Sequence, residues 1–280
     1  MFDRTNHSER SLAPLGGIEH HAGLLSLPPE DQLLYKVMTV ENLLRSITGN
    51  YLHFNRVNSY ADFQNADKND SLQLPKDRPL NTASRFQEVP EFSAADYYDQ
   101  SRARTYACCF SIENSDHIWK NYANENGKDK VCVVFEFGKL RSMLNHALNP
   151  EGATLIYEGN VCRQIFSINY GLVKYVDWGT HQTNEQYLAN PIIYTYFKDA
   201  VRFGEEKELR ISLSALGIGH FALKDGTMFQ FLPSLQLGFD FRAALANGAI
   251  REILVSPEAD SGFVPTELGK LRIEPAAEPT

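Results

Sequence analysis

The stretch 105-TYACCFSIENSDHIWKNYANENGKDKVCVVFEFGK-139 decides the fold, because it holds two strong strand patterns joined by a short helical pattern. In its first part, Tyr106, Cys108 and Phe110 alternate with smaller or polar residues, and a period of two is typical of a strand. The run 131–137 is almost wholly apolar and β-branched, as in a strand that is covered on both faces. The sequence therefore predicts two central strands.

Between these two strands, four apolar side chains at helical spacing predict a helix of about two turns: Ile118, Trp119, Tyr122 and Ala123. Asn114 and Ser115 precede them as candidate capping residues. The spacing favours burial of the two aromatic side chains, and the alternative is that they stack on a ligand.

The rest of the chain predicts one domain behind a short leader. Residues 1–30 are rich in Ser, Gly, Pro and His and predict a flexible N-terminal segment. Residues 31–275 mix strand and helix patterns without a regular alternation, which predicts a single α+β domain with a central mixed, mainly antiparallel sheet flanked by short helices. The polar stretch 58–100 is long for a loop, and such segments are usually lids or binding segments.

Composition limits the function classes. The chain has 280 residues, is 43% hydrophobic and carries a formal charge of −8, which disfavours a wide nucleic-acid interface. Neither a signal peptide nor an apolar run of membrane-spanning length is evident, so we expect a cytoplasmic protein without a membrane partner. The four cysteines are expected to be reduced and buried, and no metal site is predicted; they are Cys108, Cys109, Cys132 and Cys162.

Two carboxylates are the candidate catalytic groups. Glu206 and Glu208 flank Lys207 where an apolar strand begins, and alternation in a strand places both on one face. Two such groups split acid and base roles when one pKa rises. The alternative is a solvated charged turn.

Further candidates come from the other strand patterns. Tyr35 and Lys36 lie in the first strand, 33–39, and Ser111 ends the strand that begins at Thr105. A lysine facing the cleft is an anion donor, whereas one on the outer side faces solvent. Ser111 is either a hydroxyl donor in the cleft or a cap of the following turn.

The order of several short motifs resembles an uncharacterised bacterial family of domains of unknown function. These motifs are YK near the start, CFS at 109–111, W-x-x-YA at 119–123, FEF at 135–137, FK at 197–198 and EKELR at 206–210. Where members of the family tend to have an FNDPFD-like string, this chain has SYADFQNADKND. The family itself has no assigned reaction.

The order of the candidate residues is also similar to that of the ADP-ribosyltransferase fold. That resemblance implies an enzyme that consumes NAD and transfers ADP-ribose to a macromolecular acceptor. It assigns NAD or nucleotide binding to Lys36 or Tyr35 and to Ser111, and catalysis to Glu208 and Glu206. Trp119 and Tyr122, in their alternative role as ligand-stacking residues, are further candidates for nucleotide binding. In this chain the first-strand residue is Lys rather than Arg or His.

Two other function classes remain open. A non-catalytic module would recognise a protein or nucleotide in a cleft lined by aromatic residues, namely Tyr60, Trp119, Tyr122 and Phe197. A metal-dependent nuclease would use a charged group comprising Glu136, Glu206, Lys207 and Glu208. NAD turnover and Mg²⁺-dependent cleavage distinguish the three.

Overall fold

The computed structural model describes residues 19, 25–62, 67–87, 89–123, 129–148, 155–157, 160–162, 166–183, 192–215, 220–222, 228–256, 258 and 263–270. The strands are β1 (Leu33–Thr39), β2 (Tyr51–Arg56), β3 (Thr105–Ser111), β4 (Lys130–Glu136), β5 (Leu155–Tyr157), β6 (Asn160–Cys162), β7 (Phe166–Leu172), β8 (Lys174–Val176), β9 (Phe197–Asp199), β10 (Glu208–Ala215), β11 (His220–Ala222), β12 (Met228–Gln230), β13 (Ser234–Gly238) and β14 (Ile250–Val255). The helices are α1 (Val40–Gly49), α2 (Asp77–Ala83), α3 (Ala94–Arg102), α4 (Asp116–Asn121), α5 (Phe137–Ala147), α6 (Ala200–Phe203), α7 (Phe241–Asn247) and α8 (Phe263–Lys270).

The chain is an α+β domain built on a ten-stranded sheet, as its sequence predicts. Every described pair in this sheet is antiparallel, and among the described strands the parallel pair β8–β9 lies outside it. β3 is the junction of the sheet, because it pairs with β1, β2 and β10. β4 and β14 extend the sheet beyond β1, β13 extends it beyond β2, and β7 extends it beyond β10.

The sheet divides along one edge of β3. β1 meets that edge at its end, where Tyr35 lies opposite Ser111, whereas β2 meets it near its start, at Ala107 and Tyr106. Lys36 reaches into the gap between them, where its Nζ donates to the carbonyl O of Cys109 at 3.1 Å and lies 5.0 Å from the centre of the Phe110 ring. The Lys36 side chain lies on the apolar side of β1, and its hydrogen bond to the β3 backbone at this gap satisfies its ammonium group.

One face of the sheet carries the main core. Alternate residues of β3 and β10 point into it, and four helices, α1, α5, α7 and α8, bury apolar side chains against the same cluster. The start and end of α1 follow the expected chemistry: the Thr39 side chain accepts from the Asn42 N–H, and Asn50 ends the helix in the left-handed conformation. This face therefore holds the sheet in place mainly by apolar packing, with the Lys36 ammonium over the Phe110 ring as a charged group at its border.

The other face of β3, β10 and β7 is polar and nevertheless buried. Apart from the Glu208 carboxylate and the half-buried Cys109, its side chains are mostly small or hydroxylic and surround one large cation; they are Thr105, Ala107, Ser111, Ser167, Asn169, Ser212, Ser214 and Arg210. A second layer, comprising α2, α3 and residues 192–198, covers this face with its own apolar clusters. The hydroxyl group of Tyr196 joins the two layers by bonds to the carbonyl O of Asn169 and to Ser212. A buried polar layer thus lies between the sheet and its cover.

Both strands of the opening stretch are confirmed, but the helix between them is shorter than predicted. β4 is buried along its whole length, as a strand covered on both faces should be. α4 ends at Asn121, since Tyr122 is extended and Ala123 has a φ of 72°. Only Ile118 of the predicted apolar face is fully buried there, and the Ser115 side chain makes no capping bond.

The described part of the predicted leader contacts the domain. Glu19 bonds to Arg141 and Asn145 of α5, and Leu25 packs with Ile192 and Tyr196. The other residues up to 24, including His20 and His21, lie outside the described residues. Within the part of the chain that the structure describes, no helix is long and apolar enough to cross a membrane.

Gly171 allows the buried polar layer to close. It lies opposite Arg210, and a Cβ added there would be 2.8 Å from the Tyr196 ring and 3.1 Å from Leu25. We expect Gly171→Ala to lower the free energy of unfolding by about 1–3 kcal/mol, because the Tyr196 ring must move and its hydrogen bonds to Asn169 and Ser212 are then distorted. Denaturant unfolding measures this, with Gly238→Ala as the strand control, where nothing lies within 4 Å of the added Cβ. Equal stabilities would show that the ring moves freely.

Candidate functional site

The predicted site residues of three strands meet at one end of the sheet. Ser111, at the end of β3, lies opposite Tyr35 of β1 on one side and opposite Glu208 of β10 on the other. Directly opposed residues in antiparallel strands point to the same face, so the three side chains form a row across the sheet. Lys36, the next residue on β1, points to the other face. Of the two candidates on the first strand, only Tyr35 therefore belongs to this row.

Glu208 lies at the centre of an ion-pair network. Its Oε1 accepts from Arg210 Nε at 2.7 Å, and its Oε2 lies 2.8 Å from Lys198 Nζ. Burial raises the pKa of Glu208, but the charges of Arg210 and Lys198 outweigh that effect and lower the pKa below the ordinary value. The Glu208 side chain is 1% exposed and its backbone N–H donates to the Tyr175 hydroxyl. The carboxylate is thus ionised and fully occupied by protein groups.

Arg210 connects this carboxylate to the segment that follows β2. Its two terminal nitrogens donate to both carboxylate oxygens of Asp70, at 2.7 and 2.9 Å, and one of them also donates to the carbonyl O of Thr195 at 2.8 Å. Such a bidentate pair is a strong arrangement when both groups are buried, and the Arg210 and Asp70 side chains are 1% and 3% exposed. Arg210 therefore joins β10, the covering layer and the residue-70 turn.

Glu206 is the more accessible of the two candidate carboxylates. It lies in a 3₁₀ turn rather than in β10, and Lys207, with a φ of 47°, reverses the chain before the strand begins. The two carboxylates nevertheless converge, because Lys198 Nζ is 2.6 Å from Glu206 and 2.8 Å from Glu208. Their proximity arises from this shared ammonium and not from the strand alternation that the sequence suggested.

The environment of Glu206 changes its protonation. Burial raises its pKa, the neighbouring Glu208 charge adds to the rise, and Lys198 opposes it. Its side chain is 13% exposed, against 1% for Glu208. The pKa values of the two carboxylates are thus shifted in opposite directions, which is the pattern of a pair with separate roles.

Tyr122, the residue after α4, lies close to the two carboxylates. Burial raises the pKa of the Tyr122 hydroxyl, and the carboxylates of Glu206 and Glu208 raise it further. The Trp119 indole N–H donates to Asn114 at 2.8 Å, and both rings are half-buried. Lys130 fixes the end of α4 by donating to the carbonyl O of Trp119 at 2.6 Å. Tyr122 therefore lies near the two carboxylates, Trp119 is fixed within α4, and both side chains retain exposed surface.

The residues of the two other function classes are more dispersed. Glu136 lies on β4 opposite Leu33, so three strand spacings, about 14 Å, separate it from the position of Glu208. It bonds instead to Arg251 and Lys139. Phe197 is buried in the covering layer, and the side chain of Tyr60 lies outside the described residues.

Three residues of the network, Asp70, Lys198 and Arg210, were not identified as site residues from the sequence. Asp70 lies in a polar stretch without periodicity. Lys198 follows an aromatic run, which does not indicate the face to which the lysine side chain points. The alternation of Glu208, Arg210 and Ser212 with Leu209 and Ile211 was visible, but it is equally typical of a strand with a solvated face. That these polar groups are buried is a property of the covering layer.

Within the described ranges, no group of three or more His, Cys, Asp or Glu side chains is arranged to hold a metal ion. No protein-family model, curated protein or solved structure matches the chain. The similarity of the motif order to known proteins therefore stays a prediction, and the geometry described above is the basis for the function proposed below.

The Arg210–Asp70 pair gives a direct test of the network. We expect Asp70→Asn to lower the free energy of unfolding by about 3–5 kcal/mol, because it leaves a buried guanidinium with less opposing charge. Denaturant unfolding measures the loss. Glu41→Gln is the control, because the Glu41–Arg45 pair is 70% and 66% exposed; its removal should cost less than about 1 kcal/mol. Similar losses from both changes would contradict the structural role of Arg210.

Proposed function

We propose that this chain is an NAD-consuming enzyme of the ADP-ribosyltransferase kind, with its site at the end of β1, β3 and β10. The observation that carries the proposal is the row of Tyr35, Ser111 and Glu208 on three neighbouring strands. From the sequence, only the order of these residues along the chain was known. Their alignment in register across three strands supports a common site, since order alone does not bring residues together.

The reaction requires a carboxylate beside the ribose of NAD. The glycosidic C–N bond breaks, its electron pair leaves with nicotinamide, and positive charge develops on the ribose. A fixed carboxylate in a water-poor cleft stabilises that charge. The acceptor then bonds to the same carbon and releases its proton to a nearby base.

Glu206 is the residue that we assign to this contact. It is partly exposed, its one ion pair among the described residues is with Lys198, and its raised pKa suits a group that also accepts a proton. Glu208 is assigned to positioning, because its oxygens are bonded to Arg210 and Lys198. Tyr35 and Tyr122 lie at the same end of the sheet and offer two ring surfaces for the nucleotide. Ser111 is buried, and its Oγ accepts from the Glu113 N–H at 3.2 Å, so this residue caps the turn after β3.

A non-catalytic ligand-binding module is the second candidate. The observation in its favour is the complete pairing of Glu208 with protein cations, which is typical of a structural ion pair. In that case the half-buried surfaces of Trp119 and Tyr122 would bind the ligand. Their replacement by Ala would weaken binding, and no carboxylate change would affect turnover, because none would occur.

Release of nicotinamide from NAD tests the proposal. We expect Glu206→Gln to lower the rate at least about 100-fold, since it removes the charge that opposes the developing ribose cation. The assay combines purified protein, NAD and a cell lysate as the source of acceptor, and it follows free nicotinamide and protein-bound ADP-ribose.

The neighbouring carboxylate provides the matched control. Glu205 is 83% exposed and contacts only His117 by its carboxylate among the described residues, so Glu205→Gln should leave the rate within about twofold of the original. Glu208→Gln is a poorer probe, because it also removes charge from two buried cations and lowers stability. Equal activity of the Glu206 and Glu205 variants, or no release by the unchanged protein, would favour the binding module.

The pH dependence gives an independent check. The folded protein raises the pKa of Glu206 above its ordinary value of 4.5. Because the proposed role needs the ionised form, activity should fall as the pH decreases through that raised pKa, with an inflection above 4.5. A rate profile measured over the range in which circular dichroism shows an intact fold separates this effect from acid unfolding. A rate that stays constant down to pH 4.5 would remove Glu206 from the mechanism.

A further inference from the structure

A second charged group lies in a groove formed by the covering layer. The groove has a volume of about 510 Å³ and is lined by Leu72, Gln73, Arg78, Asp99 and Arg102. Arg78 belongs to α2, and the other two charged residues belong to α3. None of these side chains is part of the proposed catalytic row. The groove is therefore a separate surface with its own chemistry.

The acidic group in the groove is already neutralised. The two carboxylate oxygens of Asp99 accept from the two terminal nitrogens of Arg78, at 3.0 and 2.7 Å. Gln73 also donates to Asp99, at 2.8 Å, and is itself held by Asn81 and by the carbonyl O of Ala95. The hydrogen bonds of Asp99 are therefore directed to Arg78 and Gln73, and it makes none to Arg102 among the described residues.

Arg102 uses only one of its nitrogens within the described residues. Its Nε donates to the carbonyl O of Asp70 at 2.8 Å, and among those residues no carboxylate forms an ion pair with its two terminal nitrogens. The side chain is half-buried, and burial lowers its pKa against the opposing charges of Asp70, Asp99 and Asp67. A guanidinium fixed at one end, partly dehydrated and with two donors unused is suited to an oxyanion.

We propose that this groove binds the phosphate group of a small ligand, with Arg102 as its anchor. The two terminal nitrogens of Arg102 match two oxygens of a phosphate in a bidentate arrangement. Arg78, whose side chain is 50% exposed, lies in the same groove as a second cation. A phosphate dianion carries two negative charges and is attracted by both Arg102 and Arg78. A ligand carboxylate carries one charge, and Asp99 already supplies one carboxylate to Arg78. This inference does not depend on the proposed catalytic function.

Binding of inorganic phosphate to the full chain tests the inference. Isothermal titration calorimetry at constant ionic strength should show saturable binding with a dissociation constant in the millimolar range or tighter. Arg102→Gln should weaken it about tenfold or more, since charge-assisted bonds are lost. Arg104→Gln is the control, because it removes the same charge only two residues from Arg102. The Arg104 side chain lies on the Tyr97 ring and does not line the groove. It should bind as the unchanged protein does.

A change that increases affinity distinguishes ligand binding from a structural role. Asp99→Asn keeps Arg102 and releases Arg78 from its ion pair, so it should bind phosphate several-fold more tightly than the unchanged protein. This variant also serves if Arg102→Gln does not fold. The proposal is overturned by the absence of saturable binding, by equal losses in the Arg102 and Arg104 variants, or by unchanged or weaker binding in Asp99→Asn.

Discussion

The burial of the Arg210 guanidinium constrains the arrangement of three segments of the chain. Arg210 is fully enclosed, and a charge in that position is tolerated only when carboxylates and carbonyls surround it. Asp70, Glu208 and the carbonyl O of Thr195 provide that surrounding from three different segments. The turn after β2, the covering layer and β10 must therefore be in place together. The candidate site lies where this constraint reaches the surface.

The two faces of the sheet have different tasks because of β3. Its apolar side chains contribute to the main core, while its small and hydroxylic ones leave room for Arg210 on the other face. The network then changes in character along a short path from Arg210 to Glu206. Glu208 is paired with two buried cations, whereas Glu206, in the part of the chain that the structure describes, is paired with Lys198 alone and keeps part of its surface. A rigid interior thereby holds one reactive group near the solvent.

The sequence predicted the elements better than their environment. β1, β3 and β4 follow from the periodicity of their side chains, since that signal acts between near neighbours. The row of Tyr35, Ser111 and Glu208 was predicted only as an order, because strand register depends on the whole sheet. Asp70 and Lys198 were not identified as site residues, since a buried partner and an exposed one have the same local sequence. The short α4 was overestimated because Tyr122 continues the helical spacing without the helical backbone.

The separation of the network's members along the chain has a consequence for synthesis. Arg210 and Asp70 pair across 140 positions, and Tyr35 comes earlier still. Closing the long loop between such distant residues costs chain entropy before their contact contributes any stabilising energy, so these contacts form slowly. A chain emerging from the ribosome thus carries Asp70 without Arg210, and Ser111 without Glu208, until β10 follows. Any activity of the row of Tyr35, Ser111 and Glu208 belongs only to the chain that extends past β10.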